Sequence, residues 1–252
     1  MLPVLRNCLA AGLFGLTLLA GSPAADAQDA SRSHAVARRR HHDHYGRAYY
    51  LGPLRVSAGV GTAFYNGDLG NSLGDDFLGP ALNLGVLYGL GPHWRVGGEL
   101  GYFSMGARDY LPSRGLAFHS NNGLGTVFFR YDLLGDPSVY ATPGTTRRVQ
   151  PFVQAGLGAL LYDPRAYQGT QSPDSNTQYL PTERNDYPGL AAVLPIGAGV
   201  VVPLTDQLNL TLEGNYYLTS TDYLDDISQR GNPNQKDGFG TLMLKLDYAL
   251  GH

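Results

Sequence analysis

A chain of 252 residues with 18 Lys+Arg against 21 Asp+Glu, a net of −3, lacks the basic excess that nucleic-acid binding demands. Its single cysteine, Cys8, excludes a disulfide framework. No segment past the N-terminal run offers 18 consecutive apolar residues, so no transmembrane helix is readable, and an exported chain of this kind is either periplasmic or a β-barrel.

Residues 1–27 read as an export signal: Arg6 supplies a minimal basic start, 8–20 an apolar run, and Ala25-Asp26-Ala27 a small-x-small cleavage site before Gln28. Ser22 stands where a lipoprotein would carry its cysteine. Residues 28–50 carry five Arg against two Asp and no apolar periodicity, and read as a periplasmic tether. Its Arg38–Arg40 run and His41, His42 and His44 suit phospholipid head groups, glycan or a metal. Three histidines without a placed second shell do not define a metal site, and a solvated linker is the simpler reading. Residues 51–252 carry 12 Lys+Arg against 18 Asp+Glu, a net of −6.

From residue 54 the chain alternates apolar and polar residues in eight segments, the period of strands with one greasy face. The segments are 54–65, 79–90, 94 to about 104, 123–133, 149–162, 190–202, 208–219 and 239–250. In the seventh, Leu208, Leu210, Leu212, Tyr216 and Leu218 fall on one side; Asn209, Thr211, Glu213 and Asn215 fall on the other. Each segment supplies the ~9–11 tilted residues a membrane strand needs. The fold predicted is an all-β, eight-stranded antiparallel transmembrane barrel of OmpA-like size, greasy face to lipid and polar face to a closed lumen. Connections at 66–78, 105–118, 163–188 and 220–238 fall outside; those at 91–93, 134–148 and 203–207 fall in the periplasm. The 134–148 connection is long for a periplasmic turn and suits a docking partner.

The polar face places Arg95, Glu99, Arg130, Asp132, Glu213, Lys245 and Asp247 in the lumen. Isolated buried charges are costly, so these seven are expected to form an internal ion-pair network. An eight-stranded barrel has an interior that side chains fill, which argues against a wide pore. Tyr102, Tyr131, Tyr216 and Tyr248 suit aromatic girdles at the two interfaces.

After the seventh strand, Thr221, Asp222, Tyr223, Leu224, Asp225, Asp226, Ile227 and Ser228 break the alternation and make a rim turn. Thr221 or Asp222 is expected to cap it, with Tyr223, Leu224 and Ile227 packed beneath. Asp225 and Asp226 are expected to pair with loop arginines such as Arg230, or to hold a cation. Asp68 lies at the same rim. His119 and Ser120 are adjacent and point to opposite faces of a strand, so no Ser-His-acid set forms by spacing and no catalytic residue is assigned. No cofactor, metal or small-molecule substrate is read.

The run TDYLDDIS at 221–228 resembles the TDYLDD-[VI]-S signature of outer-membrane β-barrels common in the Bacteroidota. These are PorG-like proteins, related to the small barrel subunit of the type IX secretion apparatus. Matching pieces follow in the same order: YNGDLG at 65–70, LAFHSN at 116–121, PFVQAGLG at 151–158, YDPRAY at 162–167 and PIGAGV at 195–200. The resemblance implies a structural or assembly barrel in the outer membrane, partnered by lipid and by periplasmic proteins of a secretion apparatus. The residues by themselves also admit a small porin-like or surface-adhesive barrel and, less simply, a rim enzyme. Two features depart from the family pattern: the His-rich tether, and His252 in place of a terminal aromatic.

Overall fold

The computed structural model describes residues 40–66, 76–109, 115–136, 149–169, 171–182, 184–221, 223–226 and 238–250. The strands are β1 (His41–His42), β2 (Ala48–Tyr49), β3 (Leu54–Asn66), β4 (Asp76–Phe77), β5 (Gly79–Gly89), β6 (Trp94–Arg108), β7 (Leu116–Asp132), β8 (Gln150–Gln168), β9 (Gly189–Pro203), β10 (Leu208–Thr219) and β11 (Gly238–Leu250). Eight of them close a ring. β3 pairs with β5, then neighbours follow in chain order to β11, and β11 returns to β3 from Leu250↔Leu54 to Gly238↔Asn66. Every pairing is antiparallel and each of the eight strands has a neighbour on both sides, so the sheet has no open edge at membrane depth.

The alternation decides which face looks out. Leu82, Leu84, Leu100, Val127, Phe129, Leu157, Leu212, Leu242, Leu244 and Leu246 are 46–70 % exposed, and they girdle the ring. An apolar band of that extent is incompatible with water, where burial is worth about 25 cal/mol per Å², and fits lipid. Trp94, Tyr102 and Tyr248 stand outward and exposed, and Tyr131 packs edge-on against Trp94 and stacks on His93.

The turn after β5 closes with Leu90 N donating to the Trp94 carbonyl over 2.8 Å, and the turn after β9 with Leu204 N donating to the Leu208 carbonyl over 2.9 Å. These short connections share one end of the barrel, the end that also holds the start of β3.

At the other end the structure lengthens the predicted strands. β6 runs to Arg108, β7 starts at Leu116 and β8 reaches Gln168, where loops were expected from 105, up to 118 and from 163. The reason is a reversal of polarity. Above the band Phe103, Met105, Phe118, Leu160, Tyr162 and Ala166 point in and are buried, while His119, Asn121 and Arg165 lie on the other face. A greasy-out pattern therefore changes phase within one strand, and the alternation reads as broken. β8 and β9 stop pairing at Tyr162↔Gly189, so β6, β7 and β8 rise as a one-sided wall. Loop residues cover its β8 edge: Tyr179 bridges Tyr167, and Leu180 N donates to the Ala166 carbonyl.

The expected leader lies outside the described residues, as does the tether before Arg40. From Arg40 on, the tether is not a plain linker: β1 and β2 pair as a small hairpin, His41↔Tyr49 and His42↔Ala48. The connection expected at 134–148 is described only to Asp136.

Candidate functional site

The lumen is built in three tiers by inward-pointing residues of every strand. In the middle tier Lys245 on β11 donates to Glu99 Oε1 on β6 and to Glu213 Oε1 on β10, both at 2.6 Å. Arg130 on β7 donates to Glu213 Oε2 at 2.8 Å and to Gln154 at 3.1 Å, and its guanidinium lies 3.7 Å from the Phe152 ring centre. Asn83 donates to Glu99 at 3.0 Å; Asn215 donates to Glu213 at 2.6 Å and accepts from Gln154 at 2.9 Å. Two cations meet two carboxylates, so the cluster is neutral, as burial requires. Glycines give it room: a Cβ on Gly59 would sit 2.7 Å from Lys245 Cγ, and one on Gly197 1.8 Å from Asn215 Oδ1.

The tier nearest the short turns holds Arg95, which donates to Asp132 and Asp136, each at 2.6 Å. Asp247, expected in the ion-pair set, accepts the Thr211 hydroxyl. Arg55 is buried, and its Nη1 reaches the Gln207 carbonyl at 3.4 Å and, with the Asn209 amide turned to suit, that side-chain oxygen at 3.1 Å. The sequence reading missed Arg55 and Asp136. Arg55 had a usable signal, since it sits opposite Val56 in the alternation; Asp136 had none, lying inside a connection.

The outer tier is aromatic. Phe239 stacks between Phe103, with centroids 4.8 Å apart, and Tyr217 at 4.4 Å; Tyr65 meets Phe118 edge-on at 4.8 Å. Onto this plug folds the rim motif. Leu224 is fully buried in it, Asp225 accepts from the Tyr65 hydroxyl at 2.9 Å, and Asp226 from the Tyr187 hydroxyl at 2.8 Å. Thr221 Oγ1 hydrogen-bonds the Tyr162 hydroxyl at 3.1 Å and accepts from Tyr223 N at 3.2 Å, the local cap the sequence suggested. Among the rim motif's described residues 224–226 are bends, and Asp226 adopts φ 58°, a left-handed conformation that aspartate tolerates better than most residues. Among the described residues both acids take tyrosine hydroxyls. Arg184 pairs with Asp186, donates to Tyr162 at 3.3 Å and lies over the Tyr223 ring. Asp68, Asp222, Ile227, Ser228 and Arg230 lie outside the described residues.

Burial, and then the hydrogen bond to the Asp226 carboxylate, push the Tyr187 phenol well above its ordinary range. Ser120 points inward, buried, and donates to Asn122 at 2.9 Å, so it does not meet His119. Among the described residues no three His, Cys, Asp or Glu are placed to hold a metal ion. Between plug and ion network a cavity of about 20 Å³, lined by Asn83, Glu99, Phe103, Leu124, Tyr217 and Thr241, has room for one water. This tiered filling holds strands together and blocks passage.

No family model and no curated protein matches the chain. Solved structures similar to it are outer-membrane barrels. Neisserial surface protein A is 15% identical, with 79% of this chain and 99% of that one covered and a TM-score of 0.43. Ail, the attachment invasion locus protein of Yersinia pestis, is 14% identical over 79% and 99%, at 0.44. OprG from Pseudomonas aeruginosa is 12% identical over 80% and 97%, at 0.43. At such identities the likeness is one of architecture, and the closed eight-strand ladder of this chain stands on its own register.

Proposed function

We propose that the chain is a sealed structural barrel of the outer membrane, with its short turns and N-terminal hairpin in the periplasm. The observation that carries this reading is the lumen: paired charges fill its middle and an aromatic plug under the rim motif fills its outer end. A barrel packed in this way conducts nothing, and its mid-lumen charges are taken up by one another. Standing in the membrane and offering surfaces is the role that suits it. The resemblance to PorG-like barrels carries the finer proposal, that the periplasmic end meets proteins of a secretion apparatus.

A surface-adhesive role is the second reading, favoured by the one-sided wall of β6, β7 and β8 with its attached loop. Deletion separates the two: loss of secreted proteins, with co-purification of periplasmic partners from outer membranes, supports the assembly role. Unchanged secretion with lost surface attachment supports the adhesive one. Planar-bilayer recordings from the purified barrel are expected to stay flat; a large, steady conductance overturns the sealed lumen.

A further inference from the structure

The hairpin of β1 and β2 is held against the turn end of the barrel by two attachments. Gly52 N donates to the Gly89 carbonyl at the end of β5 over 3.0 Å, and the Tyr49 ring lies where a Cβ on Gly91 would touch it at 3.6 Å. Trp94, three residues past Gly91, is exposed on the lipid side beside Tyr131, and a Trp/Tyr pair of this kind marks head-group level. The hairpin is therefore held at the height where lipid phosphates lie. It is also chemically unlike the barrel. Residues 51–252 carry a net of −6, whereas 28–50 carry +3, with Arg38 and Arg39 directly before the hairpin and Arg40 and Arg47 within it.

The tip has the make-up of an interfacial anchor. Tyr45 is 74 % exposed, with the His44 ring 3.8 Å and the Arg47 guanidinium 5.6 Å from its own. The tip is pre-formed: Asp43 accepts from Tyr45 N at 3.0 Å, Arg47 N at 2.8 Å and Arg47 Nε at 2.9 Å, leaving the Arg47 side chain 58 % exposed. An aromatic ring flanked by guanidinium and imidazole groups suits the phosphodiester layer, the ring at the acyl boundary and the cations on phosphate.

We infer that the hairpin of residues 40–50 is a docking surface for anionic phospholipid head groups of the periplasmic leaflet. This rests on the orientation proposed above. Each arginine at an anionic surface strengthens attachment by roughly five-fold, so Arg40 and the Arg47 that stands exposed beside its Asp43 partner make the contact dependent on lipid charge and salt.

The test uses the full chain refolded into nanodiscs of zwitterionic lipid alone, or of the same lipid with an anionic phospholipid added, so that both faces are open to protease. Trypsin cleavage after Arg47, located by mass, is expected to be about ten-fold slower with the anionic lipid, and the protection is expected to vanish at high salt. Replacing Arg40 by Gln is expected to remove about half of it, and Tyr45→Ser, which leaves the β1–β2 ladder intact, to remove part. Equal cleavage in both discs overturns the proposal. So does protection that appears in zwitterionic discs only on adding cell-wall glycan fragments, which makes an acidic polymer the partner. A missing heat-dependent gel shift of the same sample is a different failure, of the barrel reading itself.

Discussion

The Tyr65 hydroxyl donates to Asp225 across 2.9 Å, tying the outer end of β3 to a segment 160 residues away in sequence. Both groups are buried, and the bond joins a barrel wall to the lid over its lumen.

A hydrogen bond to a buried charge contributes about 1.5–3 kcal/mol. Tyr65→Phe and Asp225→Asn are each expected to lower unfolding stability by roughly that amount. In a double-mutant cycle the pair is expected to cost clearly less than the sum of the singles. Additive losses, read from denaturant unfolding in lipid, count against a cap held by this bond.

Lys245 stands between two carboxylates at 2.6 Å, so its removal leaves Glu99 without its cation and Glu213 with Arg130 alone. Lys245→Met is expected to cost about 3–5 kcal/mol, the usual consequence of leaving a buried charge uncompensated. Adding Glu99→Gln is expected to restore part of the loss. A Lys245→Met protein as stable as the parent, by urea titration, argues that the lumen is wetter than its packing implies.

The lipid face grades with depth. Leu244→Arg, mid-band on β11, is expected to cost roughly 2–4 kcal/mol, and Leu250→Arg, at the strand end, roughly 0–1 kcal/mol. Inward Thr211 is fully buried against its neighbours, so Thr211→Arg is crowded out as well, for want of space and not for want of water. Equal tolerance of arginine at 244 and 250 in vesicle refolding is incompatible with the band placed here.

The cap is expected to weaken in alkali. The Tyr187 phenol titrates higher in the folded protein than in the unfolded chain, so its contribution is complete below the ordinary tyrosine pKa of about 10. It is lost as pH rises from there through the raised folded value. Protease cleavage within 171–188 is expected to accelerate over that window, and Tyr187→Phe to remove the dependence. A pH profile identical in the two proteins rules Tyr187 out as the cause.

The membrane part of this fold was legible because lipid imposes a strict rule on residues such as Leu242, Leu244 and Leu246, which alternate with Met243, Lys245 and Asp247. The same rule named Glu99, Arg130, Glu213 and Lys245 as a set, because parity alone sends all four inward. Above the membrane it lapses. Phe118 and Leu160 turn in where a lipid-facing pattern would turn them out, so the tall ends of β6, β7 and β8 read as loop. The tyrosines that meet Asp225 and Asp226 were hidden for another reason: Tyr65 and Tyr187 are distant in sequence, and nothing local marks a tyrosine hydroxyl as aimed at a carboxylate.

The glycines facing the lumen on β8 and β9 turn this packing into a constraint on sequence change. A Cβ on Gly156 would lie 2.7 Å from Phe128 Cβ, and one on Gly199 2.5 Å from the Phe152 ring. Each ring is received by a bare position on the next strand: Phe128 of β7 lies over Gly156 of β8, and Phe152 of β8 over Gly199 of β9. Drift at these rings is therefore policed by positions that carry no side chain at all. A Gly199→Ala change is expected to be destabilising, because the added methyl meets the Phe152 ring and the Leu212 carbonyl of the neighbouring strand together. Among relatives of this chain, a bare position and the ring lying over it should be inherited together.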